Sequence, residues 1–266
     1  MIPDAHAGAA TTIQYDLLLQ EAMLHDGSVV DFGIRDGRIA ALRPSLEGPA
    51  ARTIQLERRV VLPGLVESHT HLDKALTVSH SENHSGTLYE AMSCMHHVHC
   101  SATSTQLHAR ALRAARLFIA AGTTTLRTHA DVTPTLGLLG VQVLLAVREA
   151  LRGLLDLQIV ALSCDLTGQE GRRMRELVEE ALRLGVDAVG GAPVLDRDPR
   201  EHIDFVFDLA QRYDRPVDLH IDESDDPRDF CLPYLAEKTM AVGYGGRVLA
   251  GHCCSLAAVD AATARA

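Results

Sequence analysis

The chain has 266 residues, 47% of them hydrophobic and 23% charged, an ordinary soluble composition long enough for one large α/β domain. A formal charge of -10 and a pI near 5.7 argue against a nucleic-acid backbone or an anionic membrane as partner and leave a small, neutral molecule as the better fit. No run approaches the ~18 consecutive apolar residues of a membrane span.

The first residues, Met1-Ile2-Pro3-Asp4-Ala5-His6, lack the basic and apolar regions of a secretory leader. The six cysteines show no C-x-x-C spacing. A reduced, cytoplasmic setting is therefore expected. Residues 1–61 form a first, small β part. Within it, strand-like runs at 13–19, 29–34 and 38–42 are cut by the turn pairs Asp26-Gly27 and Asp36-Gly37.

From residue 62 to 266 the period changes. Buried-type strands are expected at 62–71, 123–132, 156–164, 187–192, 216–223 and 247–253, with amphipathic helices between them, such as 170–184 and 200–213. Glycines close several helices, as at Gly122 and Gly185. Strand–helix repetition means a parallel sheet with right-handed crossovers, either doubly wound or part of a (β/α)8 TIM barrel. No G-x-G-x-x-G follows the first strand, and the polar residues gather at the C-terminal strand ends, both of which favour the barrel.

Those strand ends carry the candidate chemistry. His69 and His71 close the first strand, and a period of two points both imidazoles the same way, as half of a transition-metal site. The fifth strand ends in Asp218-Leu219-His220-Ile221-Asp222-Glu223. Alternation sets Asp218, His220 and Asp222 on one face, with His220 a third ligand. Glu223 suits a general acid/base, provided that the strand ends near Asp222 and the backbone turns. His252, at the end of the sixth strand, reaches the same rim as a ligand or as a group that orients the attacking hydroxide.

His129 and Asp131 end the second strand and serve either a structural hydrogen bond or a substrate contact. Adjacent Cys253 and Cys254 face opposite ways and make a poor ligand pair. The cluster His96-His97-Val98-His99-Cys100 reads as a solvated helix face or loop, and Met92 and Met95 as core filler.

Taken in order, Leu62-Pro63-Gly64-Leu65-Val66-Glu67-Ser68-His69-Thr70-His71-Leu72-Asp73-Lys74, Ser85-Gly86-Thr87-Leu88, Arg127-Thr128-His129-Ala130-Asp131-Val132, Asp156-Leu157-Gln158-Ile159-Val160-Ala161, Glu180-Ala181-Leu182-Arg183-Leu184-Gly185 and Val217-Asp218-Leu219-His220-Ile221-Asp222-Glu223 resemble the cytosine deaminase group of the amidohydrolase superfamily. The resemblance implies a (β/α)8 barrel with a small β-sandwich built from both chain ends. It implies one divalent ion, Fe(II) or Zn(II), on His69, His71 and His220. Glu223 would shuttle the proton and His252 would assist a metal-activated hydroxide that deaminates cytosine or a related aminated N-heterocycle.

Two departures qualify that picture. Cys164 stands where the group carries a glutamine that reads the pyrimidine edge, and a thiol is a poor amide substitute. Cys164 thus becomes the candidate substrate contact, with Gln169 nearby as a stand-in, and N-substituted triazines or cyclic amines become alternatives to cytosine. The group's further aspartate ligand, after an eighth strand, has no counterpart up to Ala266. The expectation is an incomplete barrel of about six βα units, a fragment of a longer chain and inactive by itself. The non-enzymatic alternative is a truncated homologue that acts as a binding or complementing subunit. A heterocyclic small molecule is the expected partner, with a homo-oligomer left open.

Overall fold

A computed structural model describes residues 14–80 and 82–265, so the expectation for residues 1–6 lies outside the described residues, as does Ile13. The chain resolves into two compact units, Met1–Pro63 and Gly64–Ala266.

The first unit is one four-stranded mixed sheet: β1 (Tyr15–Met23), β2 (Val29–Arg35), β3 (Arg38–Arg43) and β4 (Ala50–Gln55), in the order β3-β2-β1-β4. The turn between β1 and β2 forms where expected. Asp26 Oδ1 accepts from the Ser28 amide at 2.9 Å and from its hydroxyl at 2.6 Å. Gly27 takes the left-handed backbone, φ 83°, that a side chain would resist. The polar segment Ala50–Gln55 gave no strand signal, yet it pairs in parallel with β1. Backbone pairing, rather than burial of its exposed side chains, makes it a strand.

The second unit is a six-stranded parallel sheet, nearly closed into a barrel, with helices between its strands. It runs β5 (Leu65–Thr70), α1 (Leu88–Ser101), α2 (Ser104–Ala120), β6 (Thr123–Val132), α3 (Leu139–Ala150), β7 (Asp156–Ser163), α4 (Gly171–Leu184), β8 (Ala188–Gly191), α5 (Pro199–Tyr213), β9 (Val217–Ile221), α6 (Leu232–Ala241) and β10 (Val248–His252). Sheet order equals sequence order, with β5 and β10 at its two ends. All six strands lie within the runs expected from the sequence.

Local chemistry explains the boundaries. Thr103 and Gln106 make a reciprocal capping box at the start of α2. Asp198 caps α5 by accepting from the Arg200 and Glu201 amides at 3.1 and 3.0 Å. Gly185 ends α4 at φ 100°. On α4, Met174, Leu177, Val178, Ala181 and Leu182 are buried, the three-and-four spacing that turns one face of the helix onto the sheet. They join Leu126, Ile159, Val189, Phe207 and Leu219 in one continuous core. Each of the Met, Leu, Val, Ile and Phe side chains, fully buried, contributes about 1.5–3 kcal/mol before entropy is counted.

Three strand-end residues leave ordinary backbone space: Asp222 at φ 53°, His252 at 67° and Cys253 at 54°. These left-handed corners, costly for residues other than glycine, stop β9 and β10 abruptly. Asp222 therefore does not share the inward face of Asp218 and His220, as alternation had suggested. Its carboxylate turns away and accepts from the Cys231 and Leu232 amides at 2.8 and 3.0 Å, fastening the start of α6.

Candidate functional site

β5, β6, β9 and β10 deliver five imidazoles to one end of the sheet. His69 and His71 lie edge to face, with ring centroids 5.3 Å apart, and His220 is 4.6 Å from His69 and 5.2 Å from His71. β5 ends at Thr70 and its pairing with β6 is irregular between Glu67 and Thr70, so His71 stands just past the strand and still converges with His69. A ligand atom from each of His69, His71, His129 and His220 falls within 4.8 Å of the others. His252 joins from β10, 4.8 Å from the His220 ring.

The donor set fits a borderline divalent ion. Nε2 of His71 and Nε2 of His220 face each other at 3.2 Å, while both Nδ1 atoms are buried without a partner. Burial, reinforced by the neighbouring imidazoles, pushes His69 down to about 4 and His220 to about 2, and burial drives His71 lower still. All three are therefore neutral bases at physiological pH, the form that binds a metal. His129 is differently placed. Its Nε2 meets Asp218 Oδ1 at 3.1 Å and its Nδ1 lies 3.3 Å from the Thr70 carbonyl oxygen. It packs 4.4 Å from the His69 ring.

Asp218 organises this floor. Fully buried, it also accepts from Arg127 Nη1 at 2.9 Å, and Arg127 holds Gln158 Oε1 through Nε and Nη2. Burial alone would raise the Asp218 carboxyl. The hydrogen bonds and charges of His129 and Arg127 outweigh it and hold the group below its usual range.

His71, His220 and His252 line a cavity of about 370 Å³. Glu223 lines it because Asp222 turns the chain at the end of β9; its Oε2 is 3.7 Å from His252 Nε2. Cys164 lines the cavity as well. Burial and nearby carboxylates push its thiol up to about 11, so it remains a neutral, weak donor. Asp131 borders the cavity as an ion-pair partner, with Lys74 Nζ 2.5 Å from Oδ1. Gln169 is not among the described residues that line the cavity. Neither Cys253 nor Cys254 belongs to a ligand cluster among the described residues.

One sequence reading needs correction. Met92 and Met95 are cavity wall, not core filler, and His96 and His99 line the same cavity. His99 is only 7% exposed, whereas His97 faces solvent. The cluster is helical, but it is not a uniformly solvated face. The overlooked signal was spacing: Leu88, Ala91, Met92, Met95, His96 and His99 lie at intervals that form one stripe of a helix. Lys74 and Asp73, directly after the histidine pair, were also passed over as site residues. Asp73 Oδ2 accepts from the Asp131 amide at 2.8 Å, and burial followed by the Asp131 charge raises its carboxyl.

Comparison with known proteins places this geometry. The amidohydrolase family profile matches residues 60–228. N-isopropylammelide isopropyl amidohydrolase of Pseudomonas sp. (strain ADP) is 30% identical over 251 residues, covering 90% of this chain and 61% of that protein. The crystal structure of 5-methylcytosine deaminase from Klebsiella pneumoniae with 5-fluorocytosine superposes with a TM-score of 0.84 at 34% identity, covering 93% of this chain and 61% of that one. N-isopropylammelide isopropylaminohydrolase from Burkholderia multivorans gives 0.79 at 32% identity, covering 93% of this chain and 63% of that one. The chain thus spans about three fifths of the length of these relatives.

Proposed function

The chain belongs to the amidohydrolase family, and from that premise we propose a metal-dependent hydrolase that removes an amine from an aminated N-heterocycle. Cytosine-like rings and N-substituted triazines are the two substrate types, in keeping with the names of its relatives. The observation that carries the reading is the convergence of neutral His69, His71 and His220, the last two lining one cavity together with Glu223.

His69, His71 and His220 would hold one divalent ion, zinc or ferrous iron. Bound there, the ion supplies the positive charge that makes a water acidic near neutral pH. Glu223 is the proton carrier. Its carboxylate takes a proton from the attacking water and returns it to the departing nitrogen, so the leaving group departs as a neutral amine or ammonia. His252, 3.7 Å from Glu223, orients that carboxylate and the attacking oxygen. Asp218 keeps His129 fixed against His69 by a hydrogen bond, and Cys164 and Asp131 border the ring-binding side.

The test is amine release by the protein expressed from its native gene and loaded with zinc or iron, against a panel of aminopyrimidines and alkylamino-triazines. The expected result is stoichiometric amine from at least one ring, lost in Glu223→Gln with metal content unchanged. Metal bound normally with no amine released from any ring would overturn the reading.

A further inference from the structure

The stripe of α1 that faces the cavity is graded. Leu88, Met92 and Met95 make its N-terminal part apolar, and His96 and His99 make its C-terminal part polar. His99 is the unusual member. It is buried, its Nε2 has no hydrogen-bond partner, and its Nδ1 stands 4.0 Å from Asp131 Oδ2, too far for a hydrogen bond. Asp131 Oδ1 is already engaged by Lys74. A buried imidazole left unsatisfied in the free protein calls for an explanation, and a ligand that completes its hydrogen bonds is one.

Another residue of the lining sharpens the point. Cys164 offers only a thiol, unable to match a donor and an acceptor side by side. Burial, the largest influence on His99, holds it neutral, and a neutral imidazole donates through one nitrogen and accepts through the other. Beside the Asp131 carboxylate it matches a ring amide edge, where an N–H adjoins a carbonyl. Asp73 and Asp131 could also be read with His99 as a second metal triad. The Lys74 ammonium seated on Asp131 fills the cationic role there, so a ligand-reading role is favoured.

We propose that α1 is the substrate-selecting wall of the cavity, with His99 hydrogen-bonding the amide edge of the bound heterocycle while Leu88, Met92 and Met95 pack its apolar side. This rests on the reading of the cavity as a site for aminated heterocycles and adds which edge of the ring is recognised, and by what.

The test is calorimetric binding to the zinc-loaded protein, in the Glu223→Gln background throughout so that no ring is turned over, with two matched ligand pairs: cytosine against 4-aminopyrimidine, and ammeline against melamine. The first of each pair carries the ring carbonyl and the second does not. With His99 intact, the protein is expected to favour the carbonyl ligand of at least one pair by about tenfold, one hydrogen bond's worth of affinity. His99→Leu should remove that preference by weakening only the carbonyl ligand, and His99→Gln, which keeps a donor and an acceptor, should restore part of it. Zinc affinity should be unchanged in both variants. A preference that survives in His99→Leu and His99→Gln alike would overturn the role of His99 while leaving the heterocycle site standing. If the zinc-loaded protein with His99 intact binds none of the four rings, the underlying reading fails and the inference with it.

Discussion

Eight histidines of the second unit make a contrast, five carried by strands and three by one helix. His69, His71, His129, His220 and His252 sit at or just past strand ends, where a rigid parallel sheet aims them at a common point. His96, His97 and His99 sit on α1, where a turn of 100° per residue sends neighbours in different directions. His99 is buried beside Asp131 while His97 is exposed. Proximity in sequence therefore means opposite things in the two settings. Two residues apart on a strand means shared chemistry; two residues apart on a helix means divided chemistry.

Removing a strand imidazole should break the contrast most severely. His71→Ala or His220→Ala is expected to weaken zinc binding beyond the roughly 100-fold upper end seen for changes outside the ligand set; competition with a chromophoric chelator would measure it. Asp218→Asn comes next. It removes the charge that fixes His129 and Arg127, and zinc affinity should fall by about 10- to 100-fold with the circular dichroism spectrum retained. Unchanged affinity would show that the strand group does not depend on its buried carboxylate.

Acid should separate the groups more gently. In the folded protein His69 titrates near 4 rather than at the ordinary 6.5, chiefly through burial and then through neighbouring imidazoles. Between those values the unfolded chain takes up a proton that the fold excludes, so stability is intact above 6.5 and is lost as pH falls toward 4. His71 and His220, held lower still, extend the loss. The melting temperature of the metal-free protein should fall from pH 7 to pH 4.5, and His69→Gln should flatten the slope. The smallest effect belongs to His97→Ala on the exposed side of α1, expected within about 0.5 kcal/mol of wild type in denaturant unfolding.

What the sequence made legible follows the same division. The six parallel strands could be read because each is a short run rich in apolar or β-branched residues, and β6 spans the 123–132 run from end to end. The inward aim of His69, His220 and Asp218 followed from the strand period alone. The position of Glu223 followed only conditionally, because the left-handed corner at Asp222 is set by the amides of Cys231 and Leu232, which lie about ten residues on. The α1 wall was missed because its polar and apolar members share one stripe, and a mixed stripe resembles neither a core face nor a solvent face. β4 was missed because its side chains are mostly exposed and only its pairing with β1 defines it.

The unbroken order of the sheet, in which every strand pairs with the next one in the chain, bears on how the protein is made. Each strand–helix unit can dock on its predecessor as it leaves the ribosome, without waiting for a distant partner. The pocket obeys a different clock. His71 and His220 meet across 149 residues of sequence, so the ligand set is assembled only when β9 arrives. Until then His69 and His71 wait at an open sheet edge. Metal capture should accordingly wait until β9 has joined the strands before it.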